Sequence, residues 1–245
     1  RLPSPRTITW KLLLAILPVV ALGVSASVCL QYILTRRQIL PRIHQEIRAV
    51  AESGARNIDE LLRQRRGELF TLSETPLIAD YSRNIDYGLF DEAEAYRREL
   101  EQYLLHFSQR SQVYARILYL DRKGREVCRI EGRQARARGA GDAAAPYFAE
   151  AGKLRPGGWW VSSITSLPGG GSVLYYSKPI RHEMNQLAGV LVLCYDLAQI
   201  KSILQTTTVG STGQAFLRTA DGVFPPGSGL PGSRLLEAES PLRGM

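Results

Sequence analysis

Residues 114–130 read YARILYL, DRKG, REVCRI. Tyr114–Leu120 and Arg125–Ile130 are short runs of aliphatic and aromatic residues, and Asp121–Gly124 between them has turn composition. Gly124 supplies the positive φ such a turn wants, because a residue without a Cβ adopts it at no steric cost. The stretch predicts a β-hairpin. It also divides the chain, since apolar residues recur with a helical period before it and in strand-length runs after it.

C-terminal to the hairpin, residues 132–145 (GRQARARGAGDAAA) read as a flexible basic loop, and Pro146 opens a short helix to about Lys153. Three more strands are expected at Gly158–Ile164, Ser172–Ile180 and Leu187–Asp196, followed by a short helix at Leu197–Leu204. Five strands with mostly short turns and one helix-covered face make an α+β module over residues 114–204. The stretch Val209–Met245 starts a new unit, with a strand at Gln214–Thr219 and a turn at Ala220–Gly222. It is too short for a second domain, so residues 205–245 are read as an incomplete module of a truncated chain.

N-terminal to the hairpin, residues 35–113 read as a helical stalk. Ile39, Ile43, Ile47, Val50, Ile58, Leu61, Leu62 and Leu69 share one helical face, with Pro41 in the first turn. The stripe fits a dimer seam and intrachain packing equally well. Thr75-Pro76 interrupts the helix, a short helix is expected at Leu77–Tyr81, and another at Asp91–Gln112 with Asp91 and Glu94 as a capping box.

Residues 12–34 (LLLAILPVVALGVSASVCLQYIL) carry no charge and at 1.5 Å per residue are long enough for a hydrocarbon core of roughly 30 Å. Trp10 and Tyr32 lie near the ends, where amphipathic rings favour the interface. A cleaved signal peptide is the competing reading, but its apolar region would be shorter, about 7–15 residues. A retained transmembrane helix is expected, with residues 1–11 before it. Arg1, Arg6 and Lys11 on one side and Arg36, Arg37 and Arg42 on the other leave its orientation open.

The net charge of +8 does not point to nucleic acid, because basic residues are interleaved with acids, as in Arg97-Arg98-Glu99, without an aromatic stacking platform. The three cysteines and three histidines are dispersed, which argues against a disulfide framework or a metal site. No GxSxG, HExxH or Walker-type Gly-Lys-Ser/Thr motif is present, so no catalytic residue and no cofactor are expected.

The pieces ILYLDRKGREVCRI, PYFAEA, WWVSSI, VLYYSKPI and LAGVLVLCYDL, in this order and spacing, resemble the Cache family of extracytoplasmic sensor domains in its double-Cache form. VGSTGQAFLRTADG resembles the opening of that family's second, membrane-proximal PAS-like module. The resemblance implies a periplasmic or extracellular input domain of a bacterial inner-membrane receptor, with the N-terminus inside and a small-molecule pocket in the membrane-distal module. It also implies a long helix used in homodimerisation and a cytoplasmic output, a histidine kinase first, a chemoreceptor or diguanylate cyclase otherwise. A membrane-anchored protein-interaction module with no small-molecule ligand is the alternative.

The resemblance further implies the strand order 2-1-5-4-3, which keeps Cys128 and Cys194 on non-adjacent strands and therefore unbridged. Amino-acid-binding members have Arg-x-Trp-Tyr at the helix start and an Asp in the closing strand. Here those positions read Ala145-Pro146-Tyr147-Phe148 and Cys194, with Asp196 two residues on. Amino-acid binding by the usual mode is therefore not expected, since a buried ammonium needs a paired anion. The expected pocket residues are Tyr147, Trp159 or Trp160, Tyr176, Arg129 and Asp196, with aromatic walls and an arginine suited to a carboxylate or phosphate.

Overall fold

The computed structural model describes residues 5–139, 141, 143–167, 171–182, 185–207, 215–219 and 222–224; the side chains of 5–15, 33–43, 219 and 222–224 lie outside that description. The chain divides into two compact units, Arg1–Ser53 with Glu237–Met245, and Gly54–Leu236.

The described part of the first unit is the beginning of helix α1 (Pro5–Ser73). Ile16–Tyr32 are all exposed, Val19 and Leu22 at 72% each, and this stretch is free of charge. Among the described residues no helix is long and apolar enough to cross a membrane. Of the span expected at 12–34, the side chains of 12–15 and 33–34 lie outside the described residues. Pro41, expected in a first turn, falls inside α1, which runs unbroken through it.

The second unit continues with α2 (Pro76–Asp86), α3 (Phe90–Ser111), β1 (Tyr114–Asp121), β2 (Glu126–Glu131), β3 (Gln134–Ala135), α4 (Pro146–Gly152), β4 (Trp160–Val161), β5 (Thr165–Leu167), β6 (Gly171–Arg181), β7 (Leu187–Asp196), α5 (Ala198–Thr206), β8 (Leu217–Thr219) and β9 (Gly222–Phe224). Among the described residues seven strands form one antiparallel sheet in the order β3-β2-β1-β7-β6-β4, with β5 also on β6. The mixed helix and antiparallel-sheet class agrees with expectation, and the five expected strands lie in the expected order. Two details differ. The strand expected at Gly158–Ile164 pairs only at Trp160–Val161, and the chain rejoins β6 as β5. The expected loop at 132–145 begins as β3, which pairs with β2, and its Gly139 N–H donates to Glu126.

Local chemistry explains the hairpin. Asp121 Oδ1 accepts from the N–H groups of Lys123 (2.8 Å) and Arg125 (3.0 Å), and Gly124 turns the chain at φ +77°. Gly189 allows a close approach of β7 to β1, for a Cβ there would lie 2.4 Å from the Leu120 carbonyl oxygen. The capping box does not form. The residue before α3 is Leu89, which makes no side-chain cap, while Asp91 and Glu92 occupy the first turn, where their charge suits the helix dipole. Glu94 instead accepts from Arg97.

Helices cover one face of the sheet. Ile58, Leu69 and Leu72 of α1, Ile78 of α2, Leu100 and Leu104 of α3, and Ile200 and Leu204 of α5 form one buried core with Ile117, Tyr119, Leu191, Leu193 and Tyr195. Each such aliphatic side chain contributes about 1.5–3 kcal/mol when fully buried. Ile58, Leu61, Leu62 and Leu69 of the apolar stripe therefore serve intrachain packing. On the other face Leu118, Leu120, Val190 and Val192 pack with Ala151, Tyr147 and Phe148 of α4. Cys128 and Cys194 are both free and buried, and β1 lies between their strands, pairing Tyr119 with Cys128 and Arg116 with Cys194. The expected strand at 214–219 is present as β8, paired with β9, and the turn residues 220 and 221 lie outside the described residues.

Candidate ligand-binding face

Strand register maps the α4 side of the sheet. Directly paired residues of an antiparallel ladder share a face, and successive residues alternate. One rung runs Trp160–Ser177–Val192–Leu118–Arg129 across β4, β6, β7, β1 and β2. The next runs Tyr175–Cys194–Arg116–Glu131, and beyond it Val173 pairs with Asp196. Helix α4 lies over this surface and brings the Tyr147 ring to 5.2 Å from that of Tyr175. Pro146 at the start of α4 fixes its entry. Arg181 fixes its exit by donating to the carbonyls of Gly152 (2.9 Å) and Leu154 (2.8 Å).

One end of the face is basic. Glu131 accepts from Arg129 at 2.6 Å and pairs with Arg116 at 3.0 Å and Arg136 at 3.9 Å. The hydrogen bond from Arg129 holds the Glu131 carboxyl below its ordinary pKa, so Glu131 is charged at neutral pH. Glu126 also pairs with Arg129, at 3.4 Å. Three guanidiniums against two carboxylates leave a formal excess of +1. The centre of the face is apolar apart from Ser177, which is wholly buried and whose Oγ has no hydrogen-bond partner among the described residues. Burial pushes the Cys194 thiol up to about 11, so it is neutral at physiological pH.

The expected pocket residues divide between the two faces. Tyr147, Trp160, Arg129 and Asp196 belong to the α4 face. Asp196 is committed locally, its Oδ1 accepting from the Ala198 N–H at 2.9 Å at the start of α5. Trp159 and Tyr176 lie on the opposite face. Their rings stack at 6.0 Å and Arg66 of α1 sits 5.1 Å over Trp159. Neighbouring Arg65 is 4% exposed and lies 5.8 Å from the Tyr114 ring and 5.5 Å from the Tyr195 ring. It bonds Glu68 at 3.1 Å, and Glu68 also accepts from the Tyr114 hydroxyl. Lys178, also on this side, donates to Ser73 at 2.7 Å, 4.1 Å above the Phe70 ring. Tyr175, Ser177 and Arg116 are α4-face residues that sequence reasoning passed over. The signal available was Cys194, already assigned to the pocket side, with which Tyr175 and Arg116 pair directly.

No curated protein sequence matches this chain. Solved structures do. The extracellular domain of vpHK1S-Z8, assigned as a histidine kinase, is 20% identical at a TM-score of 0.56, over 67% of this chain and 61% of its own length. A domain of a sensory box/GGDEF family protein from Vibrio parahaemolyticus is 19% identical at 0.54, over 69% of this chain and 68% of its own. The ligand-binding domain of the Campylobacter jejuni chemoreceptor Tlp3, solved with 4-methylisoleucine, is 11% identical at 0.57, over 71% and 66%. The chain thus spans 61% of the first of these domains. At such identities these matches speak for the fold. The profile of the Cache domain family dCache_1 matches residues 35–238, most of the sequence. The chain belongs to the double Cache family.

Proposed function

We propose that this chain is the extracytoplasmic, small-molecule-sensing input domain of a bacterial transmembrane receptor, with its ligand bound between α4 and the β6-β7-β1-β2 surface. The observation that carries this reading is the α4 face itself. It combines an aromatic pair, Tyr147 and Tyr175, an arginine cluster with one unmatched charge, and an apolar floor beneath a helix of seven residues. A few polar groups around apolar walls is the usual make-up of a small-molecule site. Membership of a family of Cache domains supports the same reading.

The site lies back to back with α1. Tyr195 and Tyr176 touch the α1 side through Arg65 and, by way of Trp159, Arg66. Their strand neighbours Cys194 and Tyr175 face α4. A ligand that favours one arrangement of β6 and β7 therefore favours one seat of α1, a population shift between pre-existing states. In this proposal the exposed, uncharged stretch within 12–34 is the membrane anchor with its N-terminus inside, and two copies pair through α1. Output lies in a cytoplasmic domain, a histidine kinase in the first instance, and the input domain is itself non-catalytic. The departures at Ala145 and Cys194 make the ligand something other than an α-amino acid bound in the usual way.

The test is a thermal-shift screen of the chain in detergent micelles against a broad metabolite panel. A saturable hit that is lost in Tyr147→Ala, whose own folding is checked by circular dichroism, supports the reading. No hit of any class, or hits indifferent to Tyr147→Ala and to Arg129→Gln, refutes it.

A further inference from the structure

Ser177 is the only residue in its rung of the α4 face whose side chain is both polar and wholly buried, 0% exposed. Its Oγ has no hydrogen-bond partner among the described residues. A buried hydroxyl left without a partner is costly to a fold. Ser177 nevertheless stands where an apolar residue would pack against Val192, directly opposite Trp160. The far end of the same rung is Arg129, with Val192 and Leu118 between them. With strands about 4.8 Å apart, three strand spacings separate Ser177 and Arg129, roughly 14 Å between Cα atoms. The guanidinium reaches back over part of this distance and leaves the span of a short carbon chain. The rung thus presents a hydrogen-bonding group, an apolar floor and a cation in line.

Charge fixes which end of a ligand meets the arginines. The cluster of Arg116, Arg129 and Arg136 with Glu126 and Glu131 keeps one positive charge unmatched. An ammonium finds no anion near Ser177, because Cys194 is a thiol and Asp196 is bonded to the Ala198 N–H. We propose that Ser177 is the specificity-determining residue of the α4-face site, and that its ligand is a small carboxylate whose anionic end meets Arg116 and Arg129 and whose far end carries a hydroxyl bonded to Ser177 Oγ. The proposal rests on the reading of the α4 face as the sensing site.

The experiment is calorimetric titration of the 245-residue chain in detergent micelles with 4-hydroxybutyrate and 6-hydroxyhexanoate, and with butyrate and hexanoate as the matching acids without the hydroxyl. At least one hydroxy acid is expected to bind saturably and about ten-fold more tightly than its parent acid, the effect of one good hydrogen bond. In Ser177→Ala the two should bind alike, with an unliganded melting temperature equal to or above that of the parent chain. Arg129→Gln should weaken both acids together. The proposal is overturned if none of the four binds, if Ser177→Ala keeps the preference for the hydroxy acid, or if Ser177→Ala lowers the unliganded melting temperature, since the hydroxyl would then be satisfied within the fold. A ligand of another class that binds and is lost in Tyr147→Ala would leave the sensing site standing and remove only the carboxylate and Ser177 assignments. No ligand of any class would remove both.

Discussion

Replacing Arg65 by methionine tests how α1 is held on the sheet. The arginine is 4% exposed, makes cation–π contacts with Tyr114 and Tyr195, and bonds Glu68 at 3.1 Å. Each ring contact is worth about 0.5–2 kcal/mol, and a hydrogen bond to a charged group about 1.5–3 kcal/mol. Methionine keeps the apolar stem and relieves the unpartnered Nε of Arg65, which offsets part of the loss. The net expectation is a destabilisation of about 3 kcal/mol. For a unit of this size that is a fall in melting temperature of about 6–12 °C, at 2–4 °C per kcal/mol. The assay is near-ultraviolet circular dichroism during thermal unfolding in micelles, where Tyr114, Tyr195 and Trp159 report tertiary packing. Arg48→Met is the control: Arg48 and Glu52 are 81% and 52% exposed, and such a pair contributes at most about 0.5 kcal/mol. An Arg65→Met/Glu68→Gln double-mutant cycle should show coupling above about 1 kcal/mol. A single-variant loss below about 1 kcal/mol, no larger than at Arg48, would refute the claim that Arg65 seats α1.

Three further outcomes follow from the same structure. Burial pushes the Cys128 thiol up to about 12 and the Cys194 thiol to about 11, so iodoacetamide at pH 8 should modify neither in the folded chain and both in denaturant; rapid native labelling, or a Cys128–Cys194 bridge seen by mass spectrometry, would contradict the strand order. Hydrogen bonds from Arg97 lower Glu94 from 4.5 to about 2. A depressed carboxyl contributes stability that is fully present above its unfolded value and lost as pH falls through the folded one, here between about 4.5 and about 2. Glu94 is partly exposed, so the effect is small, and a carbon-detected titration placing Glu94 near 4.5 would contradict it. In spheroplasts, added protease should digest the chain beyond about Arg36, and full protection of that part would reverse the proposed orientation.

The sequence made the order of elements legible because each boundary carries a local cause. Gly124 and Asp121 make the first turn, and Pro146 starts α4. The leucine and valine run of β7 belongs to a central strand covered on both sides. What failed depended on contacts distant in sequence. Nothing local says that residues 134–135 will add to the edge of β2, or that α1 will continue through Pro41. The face of each aromatic was the main loss. In a strand a shift of one residue exchanges the two faces, so choosing Tyr176 over Tyr175, or leaving Trp159 and Trp160 undecided, required the register with β7. Once Tyr175 is paired with Cys194, the site residues separate from those that hold α1.

Hydrogen exchange with mass spectrometry, on the chain with and without a ligand found in the metabolite screen, tests the central claim most directly. The account predicts slowed exchange in residues 146–152 and in the facing parts of β6 and β7, with a smaller change in residues 58–73 of α1. Protection confined to the α1–α3 side, or to residues remote from α4 altogether, would contradict a ligand site on the α4 face.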